Sequence, residues 1–247
     1  MRSGNPALKA STFERFEIYE STRTMSLEGT VFKTGFLLLL VIGGAAITWS
    51  AFAQQNPIVM PLMMGGLIGG LVFCLITCFK PKWAAVTAPI YAFAEGLFLG
   101  GLSAFMEARY PGTGIAFQAV GLTFGTLFAL LFAYSTGVIK ATENFKLGIC
   151  AATGGICMVY AASMIMRMFG SSIPFIHDSG MMGIGFSAFV VVIAALNLVL
   201  DFDFIEQGVK RGAPKYMEWY GAFGLMVTLV WLYIEILRLL SKLNSRD

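Results

Sequence analysis

The sequence predicts an all-α, polytopic membrane protein, a bundle of seven transmembrane helices. Hydrophobic residues make up 57% of the 247 residues and charged residues only 13%, against about 25% charged in a typical soluble domain. Several apolar runs exceed the roughly 20 residues that a helix needs to cross a bilayer. The runs are about twice as long as barrel strands and do not alternate, so they are predicted to be helices.

Seven apolar segments divide the chain, and the links between them are too short for another domain. Residues 1–30 carry charges of both signs and lack the early apolar core of a signal peptide, so we expect a polar cytoplasmic tail. Residues 31–247 are expected to form the transmembrane domain. The predicted spans are about 31–53, 58–79, 84–106, 115–139, 147–169, 180–202 and 219–240.

The distribution of Lys and Arg predicts the orientation of the chain. With the N-terminus inside, 12 basic residues fall on the inner side and 5 on the outer side, as the positive-inside rule requires. The basic C-terminal stretch "RLLSKLNSRD" would then lie outside. Either seven full spans override that bias or the last helix is partly re-entrant, and we favour seven spans. The chain is expected to be multi-pass in a cell inner membrane with a cytoplasmic N-terminus.

Small residues recur at helical spacing in three spans, which predicts close contact between helices rather than function. These residues are Gly65, Gly66, Gly69, Gly70, Gly96, Gly100, Gly121 and Gly125.

Asp201 is the first candidate functional residue. A stripe of small or polar residues follows the 3.6-residue period of span six and ends at Asn197 and Asp201. This stripe is expected to face the protein interior, with Asn197 as a possible hydrogen-bond partner of Asp201. Asp203 and Glu206 are expected to solvate the inner helix end. The alternative is an ordinary interfacial carboxylate at Asp201, and an inward carboxylate near the membrane is otherwise a functional candidate.

Two further acids lie in apolar spans. Glu95 is about 16 Å deep in span three at 1.5 Å per residue, where it either lines the interior or joins two helices as a neutral side chain. Glu235 shares a face of span seven with Arg238, three residues on, and a local salt bridge is the favoured interpretation.

Several function classes lack support in the sequence. No metalloprotease, nucleophile-elbow or phosphate-loop motif occurs, so neither an enzyme nor a cofactor is expected. The basic residues are dispersed, which argues against nucleic-acid binding. The four cysteines lie in spans without a nearby His and are expected to pack as small apolar side chains.

Nearly the whole chain resembles the Bax inhibitor-1 family, also called the transmembrane Bax inhibitor motif family, and looks most like a bacterial branch. The resemblance rests on the stretches "NPALK", "MSLEGTVFKTGFLLLL", "NPIVMPLMMGGLIGG", "APIYAFAEGLFLGGLSAFME", "ALNLVLDFDFIEQG" and "YMEWYGAFGLMVTLVWLYIEILRLL". It implies seven helices with the last one wrapped by the other six, and a passive, pH-sensitive calcium leak.

The resemblance also implies a sensor of two aspartates, one late in helix six and one in helix seven. The sensor closes the pore by sharing a proton or by pairing with a basic latch. Asp201 matches the first aspartate, whereas the second falls at Met226 or Thr228, neither of them acidic. Asp201 and Glu235 differ in depth by about 18 Å and are too far apart to share a proton.

Our expectation is therefore a cation leak, calcium first, through a ladder of Asp201, Glu95 and Glu235 at successive depths. Asp201 would bind or gate the ion, and Lys80 or Lys82 would hold the closed state. The alternative is a non-transporting regulator of a membrane protease or another membrane protein, acting through its cytoplasmic tail. A proton-coupled carrier of small solutes would use the same acids.

Overall fold

The computed structural model describes residues 24–169 and 180–245, and these two stretches form seven long helices. All seven are long and apolar enough to cross a membrane, which confirms the predicted all-α architecture. The helices are α1 (Leu27–Ala53), α2 (Val59–Phe79), α3 (Ala84–Arg109), α4 (Ile115–Ser135), α5 (Glu143–Met168), α6 (Met181–Lys210) and α7 (Met217–Asn244). Of the predicted tail, residues 1–23 lie outside the described part of the chain.

Local capping fixes where several helices begin. The Ser26 hydroxyl accepts a hydrogen bond from the Gly29 N–H at 3.1 Å and so caps the first turn of α1. The Glu107 carboxylate, near the end of α3, accepts from the N–H groups of Gly114 and Ala116 at 3.1 and 3.2 Å. It therefore satisfies free donors at the start of α4 and holds the α3–α4 turn together.

The last helix lies at the centre of the bundle. In its apolar central stretch 61% of the residues are buried, against 17% for α5. It packs against α1, α3, α4 and α6. The helices around it expose large apolar side chains outward, as expected for surfaces that face lipid.

Both α1 and α2 pack closely against the backbone of α3 at glycine positions. A Cβ added to Gly44 of α1 would lie 2.5 Å from the Phe93 carbonyl oxygen, and one added to Gly66 of α2 would lie 2.5 Å from that of Ala94. No side chain fits at such distances, so small residues are required there. By contrast, Gly121 faces open space, as does Gly125. The predicted helix contact through these two glycines is wrong because α4 turns that face outward.

Span six extends further than the apolar run predicts. The expected end was near residue 202, whereas α6 continues to Lys210. The acids after residue 202 form ion pairs along this added stretch: Asp203 pairs with Lys146 at 2.8 Å and Glu206 with Lys210 at 2.5 Å. Asp201 therefore lies within the helix, about 13 Å from its end. The last helix is likewise continuous from Met217 to Asn244.

Candidate functional site

Asp201 lies where α6 packs against α7. Gly224 of α7 lies beside this carboxylate, since a Cβ added to it would lie 3.9 Å from Asp201 Oδ1, an ordinary van der Waals distance. Asp201 Oδ2 is buried, and no hydrogen-bond partner for it exists among the described residues. A buried polar atom without a partner costs about 1–3 kcal/mol, so Asp201 is held there at a cost to stability.

The position opposite Asp201 carries a hydroxyl rather than a second acid. The Thr228 side chain of α7 interacts with the Asp201 carboxylate, and its hydroxyl also donates to the Gly224 carbonyl at 3.3 Å. Met226 is 1% exposed and packs in a separate apolar cluster with Tyr91 and Phe223. Of the two positions where the resemblance implies an aspartate, Thr228 is therefore the one that faces Asp201.

Asn197 does not serve as the partner of Asp201. Its amide donates to the Thr153 hydroxyl of α5 at 2.8 Å and to the Ile193 carbonyl at 2.8 Å. The small-polar stripe of α6 thus splits between two neighbours, since Asn197 joins α5 and Asp201 faces α7. A sequence period gives the stripe but not which helix lies against each part of it.

The two acids beyond Asp201 join helices rather than solvating a helix end. The Asp203 side chain is only 15% exposed and its carboxylate forms an ion pair with Lys146 of α5. Glu206 accepts a hydrogen bond from the Tyr134 hydroxyl of α4 and pairs with Lys210. The expectation of a simply hydrated helix end is wrong, because cations and a phenol on neighbouring turns and helices reach these carboxylates.

Glu95 lies between α2 and α3, away from the Asp201 carboxylate. A Cβ added to Gly70 of α2 would lie 2.6 Å from Glu95 Oε1, and the side chains of Cys74 and Tyr91 lie near the Glu95 carboxylate. No ion pair joins Glu95 to another residue of the described part. The structure places Glu95 against α2 and Asp201 against α7, and no described contact joins the two acids into one ladder.

Glu235 is the centre of a paired cluster in the C-terminal half of α7. It is 1% exposed, and both carboxylate oxygens accept from Arg238 at 3.0 Å and from the Tyr160 hydroxyl of α5 at 3.1 Å. Two turns after Glu235, the buried Lys242 donates to the Gly183 carbonyl at 2.9 Å and to the Ser187 hydroxyl at 2.8 Å. The local Glu235–Arg238 pair expected from the sequence is present, with Tyr160 as an additional partner.

The basic residues predicted as a latch do not contact Asp201. Lys80 Nζ lies 4.3 Å from the centre of the Trp83 ring, a cation–π contact within the short α2–α3 link. Lys82 is exposed in the same link. In this conformation neither Lys80 nor Lys82 forms an ion pair with any described residue.

Glu218 is a site residue that the sequence analysis missed. It is fully buried at the start of α7 and pairs with Lys33 of α1 and with Lys215 at 2.6 Å. It also accepts from the backbone N–H and the hydroxyl of Ser26 at 2.9 and 2.8 Å. A Cβ on Gly29 would clash with this carboxylate. The one feature in the local sequence that indicates a paired Glu218 is Lys215, three residues before it. The other partners are about 190 residues away along the chain.

The donor set does not form a preformed metal centre. In the described part of the chain no three His, Cys, Asp or Glu side chains lie close enough together to hold an ion. Calcium takes six to eight oxygen ligands, and Asp201 with Thr228 supplies only a few. An ion at Asp201 would therefore keep most of its water, as suits a passing ion better than a resident one. The predicted calcium site at Asp201 stays a prediction.

Comparison with known proteins identifies the family. A family model described as "Bax inhibitor 1 like" matches residues 5–245, nearly the whole chain. No curated protein and no solved structure shows a significant match. With seven membrane-spanning helices, of which α7 is the central one, the chain is an integral membrane protein that belongs to the Bax inhibitor 1 like family.

Proposed function

We propose that the protein is a passive cation leak, with calcium as the first candidate ion, and that Asp201 binds and gates the ion. One observation carries the proposal: Asp201 Oδ2 is buried between α6 and α7 and has no hydrogen-bond partner among the described residues. Acids inside membrane helices are costly and are usually retained for ion or proton pathways. A cation or a proton is the partner that this oxygen lacks.

A polar track supports a path along α7. We use this name for Asp201 with Thr228, Glu235 and Lys242, three residues that recur every seven positions on one face of α7. From Thr228 to Lys242 this face extends about 21 Å. It lies against α6 through Ser187 and against α5 through Tyr160. The track is a chain of polar groups through otherwise apolar packing, as an ion path requires.

The outer end of the track is closed to cations in this conformation. Arg238 and Lys242 place two positive charges beside Glu235, and a cation approaching them would be repelled. Conduction therefore requires the Glu235–Arg238–Tyr160 contacts to open. Protons and cations would compete for Asp201, because a carboxylate binds a cation only in its charged form. The leak is therefore expected to depend on pH through protonation of Asp201 alone, without a second aspartate.

Calcium flux into proteoliposomes tests the proposal. Asp201→Asn should lower the flux about tenfold, equivalent to ~1.4 kcal/mol, and should remove the difference between pH 6 and pH 8. Asp203→Asn is the matched control, because it removes a carboxylate two residues away that is already paired with Lys146. Control flux should keep its pH dependence. Unchanged flux in Asp201→Asn at both pH values would refute the proposal, and repeating the assay with sodium and barium would identify the ion.

A membrane regulator is the second candidate, favoured by how the segment after the tail is held. The Met25 N–H donates to the Ala213 carbonyl at 2.7 Å, and Ser26 is bound by Glu218. The tail therefore leaves the bundle at a fixed place beside the α6–α7 link. A regulator that acts through its tail would lose partner pull-down on deletion of residues 2–22 while any flux persists. Loss of flux with intact pull-down would exclude this candidate.

We further propose a cytoplasmic N-terminus in a cell inner membrane. The excess of basic residues on the N-terminal side of the spans supports this orientation. Labelling of single cysteines placed in the links tests it: Lys82→Cys should react only from the cytoplasmic side, and labelling from the outer side would reverse the orientation.

A further inference from the structure

An apolar cavity of about 480 Å³ lies between α1, α3, α4 and α7. Its walls include Val41, Ala45, Leu99, Val120 and Leu229. The first four lie in the later halves of α1 and α3 and in the early half of α4, and Leu229 lies in α7. The cavity is thus in the membrane leaflet that is further from the N-terminal end of α1, and its size is that of a ligand pocket.

The hydroxyl groups that line the cavity already have hydrogen-bond partners. The Ser103 hydroxyl donates to the Leu99 carbonyl at 2.6 Å and lies 2.7 Å from the Tyr233 hydroxyl. The Thr123 hydroxyl donates to the Ala119 carbonyl at 2.7 Å. Buried water needs two to four polar partners, whereas an apolar cavity of this kind stays dry and takes apolar ligands. The chemistry of the walls therefore selects hydrocarbon over water or an ion.

The mouth of the cavity opens sideways between α1 and α4. These two helices make no extensive contact with each other, although Trp49 and Phe117 meet edge to face at 6.4 Å across one end of the gap. Ile42 and Phe117 on the rim are 58% and 75% exposed. In a chain of membrane-spanning helices, such a sideways opening at mid-span faces the acyl chains of the bilayer.

We propose that this cavity binds one acyl chain of a membrane phospholipid, which enters between α1 and α4. The chain would lie directly against Met226, Leu229 and Val230 of the central helix α7. Lipid would thereby complete the packing of α7 on the side where neither α1 nor α4 covers it. The inference rests on the shape and chemistry of the cavity and holds whether or not the protein conducts ions.

Fluorescence of Trp49 tests the proposal, because this residue lines the cavity. The purified protein is held in a bile-salt detergent, which has no alkyl chain, and is titrated with a phospholipid brominated on its acyl chains. Subtracting the signal of Trp49→Phe isolates the quenching of Trp49. We expect saturation near one phospholipid per chain. Quenching that rises without saturation, or saturation only by a brominated free fatty acid, would overturn the proposal.

Two variants that fill the cavity from different helices give the control. Ala46→Phe and Val120→Phe place a ring in the cavity from α1 and α4. Each should raise the phospholipid concentration at half-maximal quenching about tenfold. Ala85→Phe adds the same ring at an exposed alanine outside the cavity and should leave it unchanged. If a folded filler variant, verified by circular dichroism, binds as tightly as wild type, the acyl chain does not occupy this cavity.

Discussion

Asp201 and Glu218 are carboxylates on the two helices of the same hairpin, yet their surroundings are opposite. Glu218 is fully buried and satisfied by Ser26, Lys33 and Lys215. Asp201 has one buried oxygen without a partner in the described part of the chain and only the Thr228 hydroxyl facing it. Glu218 connects α7 to the start of α1 through its ion pair and hydrogen bonds, whereas Asp201 makes no comparable connection between helices.

This difference separates a structural carboxylate from a functional candidate. A buried acid whose partners surround it contributes to the fold, and removing it leaves those partners unpaired. A buried acid without partners destabilises the fold, so its retention calls for another reason. By this criterion Glu235 belongs with Glu218, because Arg238 and Tyr160 occupy both of its oxygens.

The largest expected effect is from Glu218→Ala. The change leaves Lys33, whose side chain is 15% exposed, without its partner, and removal of one member of a buried pair costs about 3–5 kcal/mol. We expect the free energy of unfolding in mixed micelles to fall by about 3 kcal/mol. A loss below about 0.5 kcal/mol, as for an ordinary surface change, would show that this cluster does not hold α1 to α7.

Glu235→Ala should cost less than Glu218→Ala. It frees Arg238, but the side chain of Arg238 is 36% exposed and is able to regain water. The half-buried Tyr160 hydroxyl also loses an acceptor, and we expect a loss of about 2 kcal/mol. The same unfolding assay measures it, with Tyr160→Phe as the matched control for the hydroxyl alone. A loss equal to that of Glu218→Ala would contradict the ranking by exposure.

Asn197→Ala should have a smaller effect, because it removes one hydrogen bond between α6 and α5. The bond from Asn197 to Thr153 contributes about 1 kcal/mol. A double-mutant cycle with Thr153→Val should return that value as the coupling energy. Coupling of Asn197 to Asp201 instead of Thr153 would restore the hydrogen bond expected from the sequence and would give Asp201 the partner that it lacks here.

The smallest effect is expected from Lys80→Ala. Lys80 contacts the Trp83 ring in an exposed link, and an exposed cation–π contact contributes about 0.5–1 kcal/mol. Since Lys80 does not reach Asp201, calcium flux should change less than about twofold, or ~0.4 kcal/mol. A large increase in flux would instead support the basic latch that the family resemblance implies.

Features that depend on one segment could be predicted from the sequence. The seven spans follow from apolar length, and the inward setting of Asp201 follows from the 3.6-residue period of α6. The local Glu235–Arg238 pair follows from its spacing of three residues. Each of these properties is decided by neighbours along the chain, so no knowledge of the tertiary arrangement is needed.

Features that depend on how helices are arranged could not be predicted in this way. The Ser26–Glu218 contact joins residues 192 positions apart, and the Asp203–Lys146 pair depends on which helix lies beside α6. The period of a sequence predicts which residues share one face of a helix, but it does not predict which other helix packs against that face. For the same reason Glu95 was placed in a common ladder with Asp201, although α3 turns it towards α2.

Asp201 is expected to lower the stability of the bundle, because its buried Oδ2 has no partner in the described part of the chain. The most direct test is the free energy of unfolding of Asp201→Leu at pH 8, since leucine is the aliphatic side chain closest to aspartate in shape. We expect a gain of about 1–3 kcal/mol, because the variant buries no unpartnered oxygen. A loss of similar size would mean that Asp201 stabilises the bundle as Glu218 does, and would contradict the proposal that it is retained for ion binding.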